Sequence, residues 1–275
     1  METVFFSIIV VSLNPGDKLK ATIQSICSQR RNDIEVIIKD GMSTDGSVEN
    51  LIEEGYLCKY SYITLIQKKD KSIYEGMNQA IEEAKGRYLL FLNCGDLFYD
   101  DKVLLRMMEA MEQYKSQVPA IFYGNQYNEV QKTIVYSAPT INDFTCYRNV
   151  PCHQVCFYDR RLFTERGYLA SYRVRADYEH FLYSIYEKMA QAIYVPVIVA
   201  KYEGGGFSET RENRIQSSKE HQMITKKYLG SGKVLRYKIV MLLTLAPLRT
   251  WIAENPKLSK GYNQAKTGIY KLIKR

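Results

Sequence analysis

No long apolar run marks this chain as membrane-spanning. The uncharged stretch Ile239–Leu248 falls well short of the roughly 20 residues that a helix needs to cross a bilayer. Cysteine is present without the arrangement that would make it a framework. The residues at 27, 58, 94, 146, 152 and 156 show neither the density of a small secreted domain nor the paired C-x-x-C spacing of a structural zinc site. The cluster Cys146, Cys152, His153 and Cys156 therefore reads as ordinary buried residues in a reducing cytosol. No leader is read at the N-terminus, where Met1-Glu2 runs straight into a strand-like segment. The turn Ser12-Leu13-Asn14-Pro15-Gly16 lacks the G-x-G-x-x-G spacing of a dinucleotide-binding dehydrogenase. Internal repeats, low-complexity linkers and a disordered composition are all missing.

A net positive charge is also missing from most of the chain, although the total is +8. Residues 226–275 hold twelve Lys or Arg against one acid, Glu254; that net +11 leaves −3 for the other 225 residues. A mildly acidic body argues against nucleic acid as a partner. The basic tail points to an anionic partner of its own.

What is present is an alternation of strands and helices, in a chain of 275 residues that suffices for one large α/β domain with or without an appendage. Val4–Val11 is a nearly continuous apolar run, the signature of a strand buried on both faces. Asn14-Pro15-Gly16 breaks it, and a helix follows with Asp17 near its start and Leu19, Ile23 and Ile26 on one face. Ile34–Lys39, Tyr62–Ile66 and Tyr88–Leu92 read as further strands. Helices are expected from about Ser47 to Glu54, along Met77, Ala80, Ile81 and Ala84 with Gly86 as the C-terminal cap, and along Val103, Leu104, Met107, Met108 and Met111. In the second half, Ile121–Tyr123 and Thr133–Tyr136 read as strands. Asp177–Met189 reads as a helix, and Ile193–Val199 as a strand that Pro196 assigns to an edge. Four alternations imply a parallel sheet with right-handed crossovers, and ligands of such sheets sit outside the carboxyl ends of the strands. Ser12, Asn14, Asp40 and Asp96 all fall at those ends. Each alone reads equally as a strand terminator or helix cap; together they mark a ligand edge.

Several segments then occur in a telling order. Ile37-Ile38-Lys39-Asp40-Gly41-Met42-Ser43-Thr44-Asp45-Gly46-Ser47 resembles the D-G-x-S-x-D-G-S stretch of family 2 glycosyltransferases. Asp70-Lys71-Ser72-Ile73-Tyr74-Glu75-Gly76-Met77-Asn78 is similar to a segment of a bacterial subgroup used in surface polysaccharide biosynthesis. Gly86–Asp96, ending Phe91-Leu92-Asn93-Cys94-Gly95-Asp96, resembles the family's metal-motif strand. His153-Gln154 and Ala176-Asp177-Tyr178-Glu179 resemble acceptor-side segments. The likeness covers about residues 4–210.

The resemblance implies a GT-A fold, a Rossmann-like, mostly parallel central sheet flanked by helices. It implies an inverting hexosyl- or N-acetylhexosaminyl-transferase that uses a nucleoside-diphosphate sugar, UDP-linked by preference, and a glycan or lipid-linked glycan acceptor. The implied base is Asp177, whose bland reading is a helix N-cap. Asp96 would hold Mg²⁺ or Mn²⁺, hard cations that suit oxygen ligands. Ser12, Asn14, Asp40, Asp70, Lys71, Asn78 and Asn93 would contact the nucleotide sugar, with Asp40 accepting from the base. His153, Gln154 and Tyr178 would face the acceptor, although His153 also reads as a packing residue. Arg211, with Arg214, would close over the diphosphate from a loop beside the glycine hinge 204–206; a solvated helix face is the alternative. Two departures stand out. Asp96 is the only carboxylate in its motif, which weakens the expected metal site and keeps open a catalytically weak or inactive nucleotide-sugar-binding protein of the same fold. Ala176 stands where the family often has a second acid.

The expected division is a catalytic domain over 1–225, with a donor half to about 115 and an acceptor half from about 116, and a tail over 226–275. Val234–Trp251 is apolar, basic and broken by Pro247, and reads as an amphipathic helix lying on anionic lipid. That places the protein in the cytoplasm, peripheral at the inner face of the cytoplasmic membrane. The alternative is packing on the catalytic domain or on a second copy in a homodimer.

Overall fold

The opening apolar run forms β1 (Phe6–Ser12), in which Phe6, Ile8, Ile9 and Val10 are fully buried. The computed structural model describes residues 4–204, 206 and 210–244, and the chain divides into units 1–224 and 225–275. In the first unit β1 is followed by α1 (Asp17–Cys27), β2 (Ile34–Asp40), α2 (Ser47–Glu53), α3 (Tyr56–Lys59), β3 (Ile63–Gln67), α4 (Ile73–Glu83) and β4 (Tyr88–Phe91). β1 pairs in parallel with both β2 and β4, and β2 with β3. This parallel block has the helix-flanked, GT-A-like form expected of the repeated strand–helix pattern.

Beyond β4 come β5 (Leu97–Phe98), α5 (Val103–Glu112), β6 (Ala120–Asn128), β7 (Thr133–Val135), α6 (Asp143–Arg148), β8 (Cys156–Asp159), α7 (Ala176–Tyr186), β9 (Gln191–Tyr202) and α8 (Arg211–Leu243). Among the described residues they extend one nine-stranded sheet in the order β3-β2-β1-β4-β8-β6-β9-β5, with β7 on β6. β8 is a four-residue antiparallel strand between β4 and β6, and it was not expected.

Three local expectations are corrected. Gly86 does not cap α4, which ends at Glu83 with Ala84 already extended. A Cβ on Gly86 would lie 2.4 Å from the Ser7 backbone nitrogen, so glycine lets the entry to β4 pass against β1. Pro196 marks an edge for only part of β9: β5 pairs that strand at Ala200 and Lys201, the stretch around Pro196 pairs with β6 alone, and Pro196 falls where the β6–β9 register slips between Tyr194 and Ile198. Gly124 stands opposite that slip, where a Cβ would come within 2.5 Å of the Val197 carbonyl oxygen. Met189 leaves the apolar face of α7: the helix stops at Tyr186, and Met189 is 72% exposed with φ of 53°.

In the second unit, α8 continues past a break at Gly230 (φ 77°) to Leu243. Leu235, Ile239, Leu242 and Leu243 are exposed there. No helix among the described residues is long and apolar enough to cross a membrane. Pro247, Arg249 and Trp251 lie outside the described residues, as does Gly205 of the glycine triplet.

Candidate active site

The parallel register sets Ser12 beside Asp40 at the carboxyl ends of β1 and β2. Asp40 is fully buried. Its Oδ1 accepts from the hydroxyls of Ser12 (3.1 Å) and Ser43 (2.5 Å), and its Oδ2 from the Ser43 backbone N–H (2.8 Å). Asn14, in the left-handed region at φ 47°, stitches the same loop. Its N–H donates to the Ser43 hydroxyl, and its Oδ1 accepts from the Thr44 N–H. Ser12 and Asn14 thus shape the turn that carries Asp40, leaving one lone-pair direction on Oδ2 for a further donor.

Asp70 comes to the same edge through a pairing that strand patterning does not reveal. Lys39, wholly buried in β2, sends its ammonium to Asp70 Oδ2 (2.6 Å) and to the carbonyls of Asp40 and Lys68. All three ammonium donors are used, the condition under which a buried pair is tolerated. Lys71 stays exposed, and its backbone N–H donates to Glu75 Oε2. Asn78 is placed differently from the expectation. Its side-chain amide donates to the Tyr168 carbonyl and accepts from the Tyr168 N–H, so it straps the 167–168 segment to α4 instead of facing a nucleotide.

Asp96 follows β4 and is 4% exposed. Gln154 Nε2 donates to its Oδ2 (2.9 Å), and the Glu203 N–H approaches its Oδ1 (3.3 Å). Thr22 on α1 holds the turn by donating to the Asp96 carbonyl and accepting from the Gly95 N–H. Burial raises the Asp96 pKa despite the donors from Gln154 and Glu203. Asp40 and Asp96 share a neighbourhood. The Cys94 thiol is pushed up to about 12 by burial first, then by both carboxylates. A second carboxylate comes close to the turn from elsewhere in the chain. The Glu203 carboxylate lies over Gly95, 2.4 Å from where a Cβ would stand, and is held by Lys18 at 2.7 Å. Among the described residues, no group of three or more His, Cys, Asp or Glu is placed to hold a metal ion by itself. One buried carboxylate with a second beside it does fit a hard cation whose other ligands are phosphate oxygens.

Asp177 lies in the first turn of α7 but caps nothing; the N-cap is Arg175. Its Oδ2 is 2.9 Å from His153 Nδ1, and its Oδ1 accepts from the Tyr74 hydroxyl at 2.9 Å. Burial pushes its pKa up, but the hydrogen bonds from His153 and then Tyr74 offset this and hold it below the usual carboxylate range. His153 also meets the Asn93 amide through Nε2 (3.0 Å). Asp96 and Asp177 both lie near Cys152, whose thiol is pushed up to about 12 by burial first and then by the two carboxylates. Asp96, Gln154, His153, Asn93 and Asp177 therefore form one cluster, whereas Tyr178 turns away. It is 3% exposed and donates to the Cys146 carbonyl, a packing role in place of the expected acceptor contact. Arg211 is also displaced from expectation. It starts α8 as an exposed helical residue and does not sit on a loop.

Sequence patterning does not single out the residues that hold Asp177 and its helix in place. Tyr74 is one, lying in the 70–78 segment. Glu220, fully buried on α8, accepts the consecutive backbone N–H groups of Arg173, Val174 and Arg175 at 2.8, 3.0 and 2.9 Å. It fixes the backbone of the three residues that lead into α7. A cleft of about 650 Å³ lined by Gln24, Arg30, Lys59 and Tyr60 opens near the starts of β2 and β3. None of its lining residues belongs to the carboxylate cluster, so the chemistry is assigned to the opposite, carboxyl-end edge.

The family model of glycosyl transferase family 2 matches residues 7–171, more than half of the chain. The chain belongs to glycosyl transferase family 2. This glycosyltransferase is 30% identical over 213 residues to the PGL/p-HBAD biosynthesis glycosyltransferase of Mycobacterium tuberculosis, a match covering 76% of this chain and 81% of that one. It is 31% identical over 105 residues to the cholesterol galactosyltransferase of Borreliella burgdorferi, covering 38% and 27%. Among solved structures, its fold is similar to the mannosyltransferase PcManGT of Pyrobaculum calidifontis in complex with GDP-Man and Mn²⁺ (TM-score 0.64, 15% identity, 97% of this chain and 80% of that one). It is also similar to S. aureus TarS in complex with UDP-GlcNAc (TM-score 0.61, 15% identity, 82% and 71%). At those identities the likeness establishes the GT-A fold.

Proposed function

We propose that this glycosyltransferase moves a sugar from a UDP-sugar to an acceptor hydroxyl with inversion, and that the acceptor is a lipid-linked glycan of cell-surface polysaccharide synthesis. The observation that carries the reading is Asp177: a carboxylate held ionised by His153 and Tyr74, with the residue next to His153 in the chain, Gln154, bonded to Asp96. Asp177 takes the proton of the attacking hydroxyl. Asp40 accepts from the donor's base, and Asn93, whose Oδ1 is buried without a partner, accepts from the ribose. Asp96, with Glu203 beside it, holds Mg²⁺ or Mn²⁺. The cation's contribution is to offset charge on the departing diphosphate. The PcManGT complex with Mn²⁺ and the TarS complex with UDP-GlcNAc support the choice of metal and donor class.

Incubating purified protein with UDP-GlcNAc and other UDP-sugars, with Mn²⁺ or with EDTA, tests this. Slow release of UDP that requires Mn²⁺ is expected, because water substitutes poorly for the acceptor. Binding of UDP with no release from any donor would favour the alternative, a nucleotide-sugar-binding protein without turnover.

The exposed Leu235, Ile239, Leu242 and Leu243 alternate along α8 with Lys233, Arg236 and Lys238, which supports docking of 226–275 on anionic lipid. Truncation after residue 225 is expected to abolish co-sedimentation with phosphatidylglycerol vesicles. Equal retention of both forms would rule out docking through the tail.

A further inference from the structure

His153 is read from sequence as an acceptor contact, but its two ring nitrogens are already spoken for. Nδ1 is 2.9 Å from Asp177 Oδ2, and Nε2 is 3.0 Å from Asn93 Nδ2. With the Asn93 amide oriented so that Nδ2 donates, Nε2 is the acceptor and the single ring proton sits on Nδ1, aimed at the carboxylate. The ring is mostly buried, with its side chain 14% exposed. The short helical turn 153–155 carries it, and the same turn carries Gln154 to Asp96. Tyr74 fixes the other carboxylate oxygen and also donates to the Val174 carbonyl, so Asp177 is held from α4 and from the 153–155 turn at once.

We infer that His153 is a positioning residue for Asp177, and that Asn93 sets its tautomer so that the end of β4, where Asn93 lies, and the base on α7 are joined by one hydrogen-bonded chain. The chain explains why an amide suits position 93. A second carboxylate there would face Nε2, demand a second ring proton, and leave Asp177 paired to a full imidazolium, a poorer acceptor for the substrate's proton. It also explains why a ring that reaches two partners is used at 153. A carboxylate allowed to swing by about 1 Å loses on the order of a hundredfold in rate. The inference rests on the transferase reading, in which Asp177 is the base.

Three substitutions at His153 test it, with UDP-GlcNAc hydrolysis by Mn²⁺-loaded enzyme as the reaction and UDP titration as the binding readout. His153→Ala is expected to lower kcat about a hundredfold with little change in the KM for UDP-GlcNAc or in UDP affinity. His153→Asn keeps a nitrogen donor near the Nδ1 position and is expected to recover much of that loss. His153→Gln places its amide near the Nε2 position and is expected not to. Equal activity of the Asn and Gln variants, or a His153→Ala effect confined to KM, overturns the positioning role. If every variant weakens UDP binding as much as it slows hydrolysis, the residue is structural and the inference also fails. Asp177→Asn run in parallel separates the two levels. Loss there with full activity in His153→Ala removes only the inference, whereas an unaffected Asp177→Asn removes the base assignment beneath it.

Discussion

Asp177→Asn is expected to lower turnover by about 10²–10⁴-fold, the usual contribution of a general base, while leaving the titration of UDP with Mn²⁺ unchanged. Asp96→Ala is expected to abolish turnover and also to weaken that titration. The difference follows from where each carboxylate is bonded. Asp177 faces His153 and Tyr74, and Asp96 faces Gln154 and the backbone of Glu203. Unchanged Mn²⁺-dependent binding in Asp96→Ala would falsify the metal assignment. The two acids should also separate on lowering the pH. The Asp96 pKa is raised, chiefly by burial, and that of Asp177 is lowered, the donors having overcome burial. As pH falls, Asp96 therefore takes up a proton first. Metal-dependent donor binding should fade at a higher pH than the one at which the base is lost.

Glu220→Ala is expected to cost about 3–5 kcal/mol of stability, read from urea midpoints, because the buried Val174 N–H loses its acceptor at about 1–3 kcal/mol and the part-buried N–H groups of Arg173 and Arg175 lose theirs at about 1 kcal/mol each. Glu220→Gln keeps a carbonyl oxygen and should fall in between. The same segment, 173–175, leads directly into the turn of α7 that carries Asp177, so the Gln variant should lower kcat more than it raises KM. A Glu220→Ala protein as stable as wild type would mean that the segment finds other acceptors.

The parallel half of the fold was legible because its signals are local. β1, β2 and β4 are apolar runs ended by Asn, Asp or Gly, and the amphipathic helices between them repeat at 3.6 residues. Asp40, Asp96 and Asp177 could be named from motif order, and the structure bonds the latter two to adjacent residues of one turn, Gln154 and His153. What escaped was nonlocal. β8 has only four residues, all buried, and no alternation to mark it as a strand. Lys39 looks like a strand's solvent-facing charge until Asp70, 31 residues on, is seen to neutralise it. Tyr178 and Asn78 belong to recognisable segments, yet each uses its polar group on a backbone that only the fold brings near. Glu220 clamps a loop 45–47 residues earlier in the chain, and no spacing rule connects them.

β8 has a consequence for how such an enzyme can change. It follows immediately on the His153–Val155 turn and lies against β4, the strand that delivers Asp96. The segments read as donor and acceptor halves are therefore laced through a shared ladder, Tyr88 to Asp159 and Leu90 to Phe157. Cutting the gene near residue 115 would strip β4 of its neighbour and leave a raw sheet edge on the donor fragment. Recombination between relatives should be tolerated poorly at that seam and better in the exposed loops. New acceptor preferences would then arise by loop drift around a conserved weave, not by the exchange of modules.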